Sequence, residues 1–115
     1  MQLDTLTEFI IAELTDNKAS DIQTLDVRGR VSFTDLMIIA SGRSRPHIVS
    51  IVENLMVKSK QKGVKLYSVE GQEYGEWGVL DFGDIIVHIM RTGTREYYKL
   101  EQLWSGAEDM AETSI

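Results

Sequence analysis

Between a short apolar run, residues 35–40 (DLMIIA), and a helical pattern that opens at Pro46 stands the tetrapeptide Ser41-Gly42-Arg43-Ser44. A strand turning into a helix N-terminus offers free N–H groups and the positive end of the helix dipole, a setting that suits phosphate. Nucleotidyl transfer at such a turn would also need paired carboxylates on a neighbouring strand to hold two metal ions. The next strand offers only Glu70, near its end, with Ser68 two residues before it. The metal pair is missing, and an ordinary strand-to-helix turn is the simpler reading.

Other candidate chemistry is equally thin. Asp81-Phe82-Gly83 spells the kinase magnesium motif, but a kinase's glycine-rich and catalytic loops are absent, so the glycine is read as a hairpin turn. His47 falls in the first turn of a helix and His88 in a strand, and neither belongs to a metal-spaced cluster. His88 is in phase with Ile86 and Met90, which predicts a satisfied, partly buried imidazole. With no Cys, thiolate chemistry and disulfides are excluded. The sequence therefore predicts neither catalytic residues, nor a metal, nor a cofactor.

The aromatic residues carry more information. In 77–82 (WGVLDF), Trp77, Val79 and Asp81 share one face of a strand and Gly78, Leu80 and Phe82 the other. Leu80 and Phe82 read as core, which points Trp77 and Asp81 away from it. An indole beside a carboxylate on an open sheet face suits an interface anchor; the competing reading is a Trp covered by the last helix. On that helix Tyr98 stands one residue off the apolar stripe of Tyr97, Leu100 and Trp104, on the side expected to face Trp77.

The elements that must position these residues follow from periodicity. Leu3, Leu6, Ile10 and Leu14 predict an amphipathic helix over 2–16. Residues 21–27 (DIQTLDV) predict a strand with one wet face, and 35–40 a central strand buried on both faces. Ser44 stands at an N-cap with Pro46 behind it, Ile48, Ile51, Val52, Leu55 and Met56 recur at helical spacing, and Gly63 closes the helix. Residues 65–69 predict a third strand. Residues 77–82 and 85–90 predict an antiparallel hairpin turning at Gly83-Asp84. A last helix runs from a Thr94 cap through Trp104. The order α-β-β-α-β-β-β-α predicts an α/β fold, one mixed sheet of about five strands flanked by helices.

A chain of 115 residues is the size of one domain, expected here over 1–105 with an acidic, flexible tail over 106–115. Asp4, Glu8 and Glu13 argue against a secretory signal, and no apolar run is long enough to cross a membrane, so a cytoplasmic protein is expected. Net charge is −6 but unevenly spread: six acids and one Lys over 1–27, eight bases and two acids over 28–65, ten acids and three bases over 66–115. The whole chain is repelled by nucleic acid at long range, while the middle segment can touch it locally. The acidic C-terminal half either attracts a basic partner or merely solubilises the surface.

Thr34-Asp35 through Ser41-Gly42-Arg43-Ser44, Glu70-Gly71, the run Trp77 to His88, and Tyr97 to Trp104 together resemble the ribosomal silencing factor family (RsfS), also called Iojap-like. The resemblance spans about residues 3–105. It implies a fold similar to nucleotidyltransferases without the catalytic carboxylates. It implies a protein that binds the large ribosomal subunit through ribosomal protein fourteen, at the face where the small subunit docks, and represses translation by steric exclusion when nutrients are scarce. A homodimer in isolation is implied as well, with neither DNA nor membrane as partner. The family's partner-binding face matches Trp77, Asp81 and Tyr98; Val79 joins them by strand alternation and Glu70 by proximity. Gly78 and Phe82 depart from the family pattern, and Arg43-Ser44-Arg45 is more basic than usual, which suggests a rim contact with ribosomal RNA. Two readings stand beside this one: a large-subunit assembly factor, and a residual nucleotide-binding protein.

Overall fold

The computed structural model describes residues 2–71, 75–93 and 95. Helix α1 (Leu3–Asp16) buries Leu6, Ile10 and Leu14, one residue per turn on a single stripe. Helix α2 (Arg45–Lys62) is bounded as its end residues dictate. The Ser44 side chain accepts from the His47 N–H at 3.2 Å, Pro46 occupies the first turn, and Gly63 leaves the helix in the left-handed region at φ 71°.

Five strands form one mixed sheet: β1 (Ser20–Asp26), β2 (Leu36–Gly42), β3 (Ser68–Glu70), β4 (Trp77–Asp81) and β5 (Ile85–Arg91), in the spatial order β1-β2-β5-β4-β3. Only β2 and β5 run parallel; the other neighbours are antiparallel. Every residue of β2 is buried, as a strand covered on both faces requires.

Both helices lie on one face of the sheet. Their apolar stripes meet Leu36, Ile38 and Ala40 of β2, Ile85, Val87 and Ile89 of β5, and Leu80 and Phe82 of the β4 hairpin in a single core. Gly78 makes this approach possible: a Cβ there would lie 2.8 Å from Val52 Cγ2 of α2. On the opposite face Ile39 and Met90 form a smaller buried cluster with Leu25 and Trp77 packed against it.

Two strands differ from expectation. β1 is not wet on one face and dry on the other: Ile22 packs into the helix-side core and Leu25 into the opposite cluster. A bulge between Ser20 and Gln23, with Asp21 at φ 49°, breaks the alternation. β3 pairs over 68–70 and not from Lys65, because β4 ends opposite Ser68 at Asp81 and then turns away, leaving Lys65 and Leu66 no ladder partner. The last helix, from Thr94 through Trp104, and the tail lie outside the described residues, Arg95 apart; Thr92 and Gly93 are already helical.

Candidate partner-binding face

The β4–β5 hairpin turns through Phe82-Gly83-Asp84. Asp81 Oδ1 accepts from the Gly83 N–H at 2.7 Å, and Phe82 N donates to Ile85 O at 2.9 Å. Gly83 sits at φ 86°, where a Cβ would be strained. The kinase-like tripeptide is thus a turn, and Asp81 has a structural duty in addition to its charge.

Strand alternation then sorts the side chains. Leu80 is buried on the helix side, while Trp77, Val79 and Asp81 are half-buried on the other face. Glu70 pairs with Val79, and Ser68 with Asp81, so Glu70 and Asp81 share this face as diagonal neighbours, roughly 7 Å apart by sheet geometry. The structure therefore brings together Trp77, Val79, Asp81 and Glu70. Tyr98 lies outside the described residues.

Trp77 is not a freely standing indole. Its Nε1 donates to His88 Nδ1 at 3.0 Å, with the rings tilted by 52° and 5.9 Å between centroids. Because an indole N–H can only donate, His88 carries its proton on Nε2, a buried atom with no hydrogen-bond partner among the described residues. Among the described residues only one of the two ring nitrogens is therefore satisfied. Burial pushes the His88 pKa down to about 4, which keeps the ring neutral as this bond requires. Cross-strand alternation flags His88 as a face residue opposite Val79, but nothing in the periodicity shows its bond to Trp77.

Above Trp77, Glu76 Oε1 accepts from Arg45 Nε at 2.9 Å and from Arg91 Nη1 at 2.7 Å. Arg45 is thereby engaged, and of the expected RNA-facing pair only Arg43 lacks an ion-pair partner among the described residues. The turn Ser41–Ser44 is also spoken for. Arg43 N donates to His47 Nδ1 at 3.1 Å, His47 N to Ser44 Oγ, and Ile48 N to Ser44 O. The Ser41 hydroxyl accepts from Arg95 Nη1 at 2.8 Å. A phosphate would have to displace the chain's own acceptors. Among the described residues no group of three or more acidic, His or Cys side chains could hold a metal ion, and no helix is long and apolar enough to cross a membrane.

Comparison with known proteins agrees with this architecture. A crystal structure of a Chromobacterium violaceum protein superposes with a TM-score of 0.87 at 36% identity, covering 90% of this chain and 87% of that one. The Haemophilus influenzae ribosomal silencing factor RsfS is 41% identical over 100 residues, covering 87% of this chain and 98% of that protein. The mouse protein named "Mitochondrial assembly of ribosomal large subunit protein 1" is 31% identical over 101 residues, and the match spans 44% of its length. The family model described as "Ribosomal silencing factor during starvation" matches residues 2–115, and the chain belongs to that family.

Proposed function

We propose that this chain represses translation by docking its β3–β4 face on ribosomal protein fourteen of the large subunit, where its bulk keeps the small subunit from joining. It acts by binding, without catalysis. The observation that carries the reading is the convergence of Trp77, Val79, Asp81 and Glu70 on one face of two adjacent strands. An apolar anchor beside two carboxylates suits a basic protein surface: the indole supplies buried area and the carboxylates supply charge-assisted contacts and steering. Tyr98 belongs to this proposed face as a second aromatic anchor.

The test is co-sedimentation with purified large subunits alongside a subunit-joining assay. Trp77→Ala should weaken binding by about thirtyfold or more, as loss of a central aromatic anchor does. Tyr98→Ala should weaken it in the same direction. Asp81→Asn keeps an acceptor for the Gly83 N–H, so it removes charge without opening the turn; a loss of about tenfold, equivalent to ~1.4 kcal/mol, is expected. Each variant should release the block on joining in proportion. Wild-type binding that survives all three substitutions places the contact elsewhere on the molecule.

The name of the mouse relative favours a second reading, a role in assembling the large subunit. Precursor particles accumulating in a deletion strain that responds normally to starvation would select it. The Arg43 and His47 N–H groups at this turn already donate to the chain's own acceptors, which weighs against nucleotide binding.

A further inference from the structure

Between Glu53 and Glu70 the chain has no acidic residue but four lysines, Lys58, Lys60, Lys62 and Lys65. All four are exposed, and none is in an ion pair among the described residues. Lys60 and Lys62 lie in the last turn of α2, where the negative end of the helix dipole favours cations. That accounts for part of the cluster, but not for Lys58 a turn earlier or Lys65 beyond the Gly63 cap. Lys58 and Lys62, four residues apart, project side by side.

The segment after the helix is held firmly against the hairpin. Tyr67 N donates to Asp81 O at 2.7 Å, and the ring's Cε2 lies 3.0 Å from where a Gly83 Cβ would be. Lys65 Nζ stands 4.7 Å from the centroid of that ring, which is 59% exposed. The basic cluster therefore ends in a positioned lysine–tyrosine pair on the hairpin turn, beside the edge strand β3 that carries Glu70. Glu70 and Asp81 thus stand on the sheet face away from the helices, and the lysines of α2 on the helix-covered side, with Lys65 between them near the β3 edge.

We infer that this lysine cluster is a second contact surface, taking the phosphate backbone of RNA on the large subunit while the neighbouring β3–β4 face takes protein. The inference rests on the docking proposed above. In a chain of net −6, concentrated positive charge on one helix end is complementary to a polyanion and to little else on the same particle. Lysine ammonium groups recognise phosphate as point charges and read no base sequence, so this surface orients the docked protein and leaves partner choice to Trp77 and its neighbours.

The test measures binding to purified large subunits across a potassium chloride series, for wild type, Trp77→Ala and the triple variant Lys58→Gln/Lys62→Gln/Lys65→Gln. Released counterions make log affinity fall linearly with log salt, by about 0.7–0.9 per phosphate contacted. The triple variant should bind at least about tenfold more weakly near 0.1 M salt, with a slope shallower by about 2. Trp77→Ala should lose affinity with its slope unchanged. Ultraviolet crosslinking should place a ribosomal RNA adduct in the peptide spanning residues 58–67. A triple variant with wild-type affinity and slope, or weakened at unchanged slope with no adduct in that peptide, overturns the RNA contact while leaving the docking intact. Wild type that fails to bind the subunit overturns both.

Discussion

Trp77 can donate to His88 only while the imidazole stays neutral, because protonation would set a hydrogen on Nδ1 against the indole N–H. In the unfolded chain His88 takes up its proton near 6.5, while in the native protein burial delays this to about 4. Between these values the unfolded state binds more protons, so stability falls as pH drops through that window and levels off below it. The loss is on the order of 3 kcal/mol at most. Asp26, held near 2 by Arg28, titrates below the window: its contribution is lost only as pH falls from 3.8 through about 2. Thermal unfolding at pH 7 and pH 4.5 should therefore show a marked fall for wild type. His88→Phe should be less stable at pH 7 but should lose less on acidification; equal losses for the two proteins would remove His88 from this account.

At the scale of elements, α2 and β4 touch through a missing side chain. Val52 of α2 occupies the space over Gly78. Gly78→Val should cost about 2 kcal/mol, as overpacking of a filled core does, measured as a lowered denaturant midpoint at unchanged slope; an unchanged midpoint would mean that α2 rides freely over the strand. Much of this level was legible in the sequence. Ser44, Pro46 and Gly63 bound α2, and Gly83 marks the hairpin, because caps and turns are made by residues a few positions apart. The alternation of 77–82 likewise sorted Trp77, Val79 and Asp81 from Leu80 and Phe82. What periodicity could not show depends on partners distant in sequence. β3 starts three residues late because of where β4 ends. The β1 bulge splits Ile22 and Leu25 between two cores. Glu76 gathers Arg45 from 31 residues away and Arg91 from 15, and Trp77 finds its acceptor across the hairpin.

At the scale of the whole molecule, the sheet is closed by its last strand. β5 lies between β2 and β4, pairing Leu36 with Ile85 on one side and Trp77 with Met90 on the other. A fragment of residues 1–83 keeps both helices and four strands by sequence, but loses the strand that joins β1-β2 to β4-β3. It should show no cooperative unfolding transition by circular dichroism, and no sedimentation with large subunits; a cooperative melt would show that α2 alone can bridge the two halves. The parallel β2–β5 pair is also a long-range contact, the kind that forms late because its loop must close before it is stabilised. This arrangement sets an order of events during synthesis. Glu70, Trp77 and Asp81 leave the ribosome before the strand that joins their half of the sheet to the rest, so a growing chain presents no finished form of the proposed docking face. On the docking proposed above, the face is complete only once the ribosome that makes it has passed the codons of β5, so an unfinished copy would not occupy the particle that is still translating it.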